Sequence, residues 1–286
     1  MAKISLSAFS DEAGNSIKEQ INALQFNGIG YTELRSIDKI NVLDFTEKQS
    51  KDFFNEFSEN GIKVWALGSP LGKDNIDIEK DVLLDKCKKL CETANIFNTD
   101  KIRMFSFFSA YDKREKVIEN LNLLVETASK YGVKLYHENE KEVYGDTADR
   151  VLDLMKNVKG LNFVYDPANF LQVGENADKT LEMFHSKCGY FHIKDVIVET
   201  DQLVPAGHGD GKIDKLISMI DRDVTITAEP HLAVFDAFKT IDNTEMKHKF
   251  HFEDNLSAFN FAIQSIKKIL TDNGYQNNKN IFVKGE

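Results

Sequence analysis

Hydrophobic positions along this chain switch repeatedly between short, dense runs and longer runs with helical spacing. ISLSAF (4–9) reads as a strand, and SIKEQINALQFNG (16–28) puts Ile17, Ile21 and Leu24 on one helix face before a glycine stop. The couplet recurs as GYTELR (30–35) with FTEKQSKDFFNEFSENG (45–61), where Thr46 and the acidic and amide residues after it make a capping-box start. IKVWALGSP (62–70) precedes a helix over 77–97, KIRMFSFF (101–108) one over 113–132, and VKLYHE (133–138) one over 147–158. LNFVYD (161–166) leads to a weaker helix near 178–186, GYFHIKD (189–195) to IDKLISMI (213–220), and VTITAE (224–229) to a helix over 252–270. Regular strand–helix alternation implies a parallel sheet, because each crossover helix carries the chain back to the starting edge. Eight couplets in this length predict an α/β (β/α)8 TIM barrel, one domain over residues 1–272, with 273–286 a polar C-terminal tail on the surface. No GxGxxG follows the first strand, and the glycine-rich GHGDG (207–211) follows the seventh, so a dinucleotide-binding sheet is unsupported.

The strand ends carry the chemistry in such a barrel. LYHENE (135–140) runs an apolar strand straight into two carboxylates, and three later strands end in the same manner. The last residues of strands five to eight are Glu138, Asp166, His192 and Glu229. Each alone reads as a turn former or a satisfied core residue. Four at one height, from four neighbouring strands, read as a metal site. Period-two alternation groups Tyr136, Glu138 and Glu140 on one face, with His137 and Asn139 pointing away. It likewise groups Tyr190, His192 and Lys194, and Thr225, Thr227 and Glu229. Three carboxylates and an imidazole suit one divalent ion, Mn2+ first, then Mg2+ or Co2+, with Zn2+ also accepting the set. As a Lewis acid it would acidify the carbon beside the carbonyl of a sugar hydroxy-ketone and steady the enediolate. Glu138 and Glu229, from non-adjacent strands, would flank that carbon as an acid/base pair. Proton return to the opposite face is epimerisation, and return to the neighbouring carbon is isomerisation.

Charge narrows the partner. Arg and Lys total 36 against 46 Asp and Glu, a formal net charge of -10 that argues against a nucleic-acid binder. A small sugar or sugar phosphate is the expected partner, with homo-oligomer formation left open. Cys87 and Cys91, four apart, read as one apolar helix face, and Cys188 has no nearby partner in sequence, so no disulfide framework or structural zinc is expected. No stretch approaches a membrane span and MAKISLSAFSDE lacks a secretory core, so the expectation is a cytoplasmic protein without membrane contact.

Nearly the whole chain, from SAFSDEA (7–13) through EPHL (229–232), resembles the xylose isomerase-like TIM barrel superfamily of sugar isomerases and epimerases. GSPLGK (68–73) and the IRMFSFF run are similar to its sugar phosphate isomerase/epimerase branch. The resemblance implies that Glu138, Asp166, His192 and Glu229 bind one divalent metal and that Glu138 and Glu229 are catalytic. FHIKD (191–195) resembles the strand-seven motif, whose Lys, here Lys194, would hold an anionic or hydroxyl group of the substrate. Many epimerases carry a His three residues after the strand-six Asp. This chain has Asn169, which can hydrogen-bond a substrate hydroxyl but cannot shuttle a proton. Glu33, Arg35 and Arg103 are further candidates for substrate contact, each set against an ion-paired structural reading. Lys73 reads as a loop lysine, and Trp65 as core or substrate platform. His208, in a loop placed to fold over the site as a lid, and His231, two residues after Glu229, complete the substrate-side candidates. An inosose-type dehydratase needs the same metal and base. A non-catalytic sugar- and metal-binding barrel is the reading from a different class. A three-zinc apurinic endonuclease is disfavoured, because strands two to four contain no histidine and the chain is acidic.

Overall fold

The first strand, β1 (Lys3–Ala8), alternates Ile4, Leu6 and Ala8 on one face with Ser5 and Ser7 on the other. That is the pattern of a barrel stave, with small polar residues toward the lumen and apolar residues toward the helices. The computed structural model describes residues 2–232, 250–278 and 280–285. Seven more parallel staves follow: β2 (Tyr31–Leu34), β3 (Lys63–Gly68), β4 (Lys101–Met104), β5 (Lys134–Glu138), β6 (Asn162–Tyr165), β7 (Tyr190–Ile193) and β8 (Val224–Ala228). Neighbours in sequence are neighbours in the sheet, and β1 closes it against β8 with Ile4 opposite Val224 and Ala8 opposite Ala228. The expected closed (β/α)8 barrel is therefore the observed fold.

Helices α1 (Ile17–Phe26), α2 (Glu47–Glu59), α3 (Lys80–Ile96), α4 (Arg114–Ser129), α5 (Ala148–Asn157), α6 (Pro167–Gln172), α7 (Ala177–Phe184), α8 (Ile213–Ser218) and α9 (Asn255–Asp272) make the return crossings. Reciprocal caps start α1 (Ser16 with Glu19), α2 (Thr46 with Gln49) and α9 (Asp254 with Ser257). Cys87 and Cys91 are buried on the inner face of α3, and all three cysteines are free. No described helix is long and apolar enough to cross a membrane.

Two elements depart from the expected layout. α6 is only six residues long, too short for a periodic apolar face. It forms because Asp166 caps it and Pro167 occupies its first turn. The segment expected as a polar surface tail folds into a hairpin, β9 (Tyr275–Asn278) and β10 (Ile281–Lys284). β10 runs antiparallel to the first half of β1, and Tyr275 and Phe282 are buried. The polar run Gln276–Asn278 lies on the exposed edge and masks the strand in the sequence.

Candidate metal centre

Each of four consecutive staves delivers one ligand-type side chain to the mouth of the barrel. Glu138 ends β5, Asp166 follows β6, His192 lies in β7 and Glu229 follows β8. All four are buried, and one ligand atom from each lies within 4.8 Å of the others. The Nδ1 of His192 is 2.9 Å from Glu138 Oε1 and 3.1 Å from Glu229 Oε2. Asp166 Oδ2 lies 2.9 Å from Lys194 Nζ, and Lys194 reaches Glu229 Oε2 at 3.7 Å. Among the described residues, neither Asp166 Oδ2 nor Glu229 Oε2 has a partner aligned for a hydrogen bond, close as these ionic contacts are.

The imidazole ring is held from three sides. Phe9 meets it edge-on at 5.2 Å and Tyr190 at 5.5 Å. Gly68, at the end of β3, leaves room for Phe9, since a Cβ there would lie 2.4 Å from the Phe9 ring. Below the ring, Nε2 is 3.1 Å from Glu33 Oε2, and the Tyr190 hydroxyl donates to Glu33 Oε1 at 2.9 Å. Arg103 on β4 lies between Glu138 and Glu33, its Nε 3.2 Å from Glu138 Oε2 and 3.9 Å from Glu33 Oε1, with NH1 donating to the Ser69 carbonyl.

The residues fit a divalent cation. Among the described residues, four buried carboxylates (Glu33, Glu138, Asp166, Glu229) face two buried cations, Arg103 and Lys194, while Arg35 reaches Glu229 at 3.5 Å from the rim and is already shared with Asp11 and Glu12. A doubly charged ion beside a neutral imidazole would balance that deficit, and unbalanced buried charge is costly. In the bare cluster protons take up the strain. Burial, reinforced by Glu138 and Glu229 against Lys194, pushes Asp166 up to about 7. Burial alone would lower His192, but Glu138, Glu33 and Glu229 hold it well above the ordinary histidine range. Burial opposes ionisation of Glu229, yet Lys194 and His192 keep it well below the usual carboxylate value.

The remaining predicted residues fall into three groups. Asn169, on α6, donates from its side-chain amide to Glu138 Oε1 at 3.3 Å and to the Asn139 carbonyl at 2.9 Å, while its backbone N–H caps onto Asp166. Asn139 in turn exchanges two hydrogen bonds with the Asp166 backbone, so α6 and β5 hold two carboxylates in register. At the rim, Arg35 pairs with Asp11 and Glu12 and reaches Glu229 Oε1 at 3.5 Å. His231 has φ +45, its N–H donating to Glu12 Oε2 and its Nε2 lying 3.7 Å from Glu229 Oε1. Glu12, which sequence reasoning did not single out, is pushed up to about 8 by burial and by Glu229 despite Arg35.

The third group lies off the cluster. His208 meets Phe250 edge-on, ring centroids 4.8 Å apart. Its loop, expected as a lid, is anchored: the N–H groups of Gly207, Gly209 and Gly211 all donate to the Asp195 carboxylate. Lys73 pairs with Glu140 at 2.9 Å, and Trp65 lies two residues into β3, under Lys101 at the opposite end of the barrel. His137 points outward, as the alternation predicts, and its Nε2 meets Ser106 Oγ at 2.9 Å.

A parallel barrel with carboxylate and imidazole ligands converging from four strand ends is the architecture of metal-dependent barrel enzymes. The model of the xylose isomerase-like TIM barrel family matches residues 19–231, and the chain belongs to that family. A search among functionally curated proteins finds no match. Solved structures of similar fold include the IOLI protein with a bound zinc atom (19% identity, 94% of this chain and 97% of that one, TM-score 0.70). L-ribulose 3-epimerase is similar at 15% identity over 95% of this chain and 97% of that one, TM-score 0.68. The probable 3-DHS dehydratase AsbF of Bacillus anthracis is similar at 18% identity over 80% and 92%, TM-score 0.66.

Proposed function

We propose that the protein is a divalent-metal-dependent sugar isomerase or epimerase, acting on a ketose or ketose phosphate. The observation that carries the reading is the convergence of Glu138, Asp166, His192 and Glu229 within 4.8 Å at the C-terminal mouth of the barrel. These four side chains would hold one ion, Mn2+ by first preference for a carboxylate-rich set. Bound there, the ion would supply Lewis acidity toward the carbonyl and neighbouring hydroxyl of a sugar. Glu138 and Glu229 lie on either side of the His192 Nδ1 edge, 2.9 and 3.1 Å from it. One would take the proton from the carbon beside the carbonyl and the other would return it. Arg103 and Asn169 orient Glu138, while Lys194, Arg35 and His231 surround Glu229 and keep it ionised as the resting base. A fold resemblance to L-ribulose 3-epimerase agrees with this chemistry.

Dehydration is the second reading, favoured by the resemblance to a probable dehydratase, since the same base would remove the same proton before a hydroxyl leaves. Metal analysis of the purified protein, then incubation with ketoses, ketose phosphates and inosose in deuterated water, separates the two. One deuterium on a carbon of a product with the substrate's formula is the expected result. A product lighter by one water moves the assignment to dehydratase. Metal and sugar binding without solvent exchange at carbon overturns catalysis in favour of a binding barrel.

A further inference from the structure

Glu33 is expected from its strand-end position to touch substrate, yet both of its oxygens are used inside the barrel. It is fully buried on β2, one oxygen against His192 Nε2 at 3.1 Å and the other accepting from the Tyr190 hydroxyl at 2.9 Å. The opposite ring nitrogen, Nδ1, faces Glu138 and Glu229. We propose that Glu33 is a positioning residue that fixes the proton of neutral His192 on Nε2 and so makes Nδ1 the metal-coordinating atom. The proposal rests on the metal-centre reading above.

The argument is one of proton placement. A neutral imidazole has one N–H and one lone pair, and a carboxylate only accepts. With acceptors at both edges, the side that keeps the proton decides which nitrogen can coordinate. Without Glu33, the carboxylates at the ring among the described residues would be Glu138 and Glu229, and they would draw the proton onto Nδ1, leaving no lone pair toward the ion. Glu33 supplies the competing acceptor, and it is itself immobilised by Tyr190, with Arg103 Nε 3.9 Å from its Oε1. Phe9 and Tyr190 restrict ring rotation, so the tautomer is the remaining freedom. Partners of this kind on a ligating histidine commonly govern metal affinity by about 10- to 100-fold.

The test needs metal but no substrate. Chelator-stripped protein is titrated with Zn2+ against a chromophoric competitor, and 15N spectra of the zinc-loaded protein report which nitrogen of His192 carries the proton. The wild type should show a protonated Nε2 and a metal-bound Nδ1. Glu33→Ala should bind Zn2+ about 10- to 100-fold more weakly and lose the protected Nε2–H signal. Glu33→Gln, whose amide oxygen can still accept, should fall between the two. Tyr190→Phe, which keeps the ring but frees one Glu33 oxygen, should weaken binding by less than Glu33→Ala and guards against a variant that fails to fold. A wild-type His192 bound through Nε2, or a folded Glu33→Ala with affinity within about twofold of wild type, overturns the proposal. A protein with the expected tautomer but no turnover overturns the isomerase reading alone, and a wild type that binds no metal overturns both.

Discussion

Two layers of the barrel lumen, one residue pair apart on the same strands, do opposite work. Tyr136 and Tyr190 lie toward the N-terminal end, ring centroids 5.4 Å apart, with Trp65 edge-on to Tyr190 at 6.2 Å. Two residues further along the same staves stand Glu138 and His192. The lower layer is apolar aromatic packing, which fills the lumen and supplies stability. The upper layer gathers buried charge that only partners or an ion can balance. Tyr190 joins them, its ring in the lower layer and its hydroxyl on Glu33. The lesson is that a two-residue step along a stave separates residues that hold the barrel from residues that act in it.

Substitutions in the two layers should therefore separate cleanly. Glu138→Gln and Glu229→Gln should each reduce turnover by at least about 100-fold, the usual scale for losing a general acid or base, in folded protein. Steady-state assay on the substrate found by deuterium exchange checks this, and full activity in both variants would remove the acid/base assignment. Tyr136→Ala should instead cost about 3–5 kcal/mol of unfolding free energy in a denaturant titration while leaving Zn2+ affinity nearly unchanged. Equal stability, or a matching loss of metal, would show that the layers are not independent.

The upper layer was largely legible in the sequence because period-two alternation and strand termini are local signals. Glu138, Asp166, His192 and Glu229 each end a recognisable apolar run, and the fold alone brings those ends together. Glu33 and Arg103 were legible as polar strand residues but not as partners of His192 and Glu138. That pairing depends on how far side chains reach across the lumen from β2 and β4, and no local spacing encodes it. The loop that carries His208 shows the same limit from the other side: its glycines are local signals, but the Asp195 carboxylate that collects their amides is not visible from spacing. Glu12 was passed over because its burial comes from the Arg35 and His231 contacts of distant segments.

Asp195 makes the loop a smaller test of the same division. Its carboxylate accepts N–H groups from Val196, Gly207, Gly209 and Gly211, so it belongs to the supporting structure although it adjoins Lys194. Asp195→Ala should lose about 1.5–3 kcal/mol, the scale of hydrogen bonds to a charged group, and speed proteolytic cutting within 206–212. Metal affinity should stay close to wild type. A large loss of metal with unchanged stability would place Asp195 in the upper layer instead.

The effect most specific to buried charge is in the pH dependence of the metal-free protein. Asp166 and Glu12 are pushed up to about 7 and about 8, chiefly by burial, so the folded chain holds protons that the unfolded chain has released. His192, held above its ordinary range by surrounding carboxylates against the opposing effect of burial, acts in the same direction. Stability of the metal-free form should consequently fall as pH rises from about 4.5, near the ordinary carboxyl values, to about 8, by at most about 1.4 kcal/mol per pH unit for each titrating group. Between about pH 4 and 6.5 His231, lowered to about 4 by burial, has the opposite sign and offsets one of these groups: the unfolded chain takes up a proton that the folded chain refuses. The melting temperature should thus be highest near about pH 4.5 and decline toward pH 8, with roughly 2–4 °C lost for each kcal/mol. Saturating metal should flatten the alkaline limb, because the ion displaces the protons on Asp166 and His192 and leaves only the share of Glu12. Paired melting curves with and without Mn2+ or Zn2+ measure both limbs. A metal-free protein that gains stability from pH 6.5 to 8 would mean that the carboxylates at the mouth are already balanced without an ion.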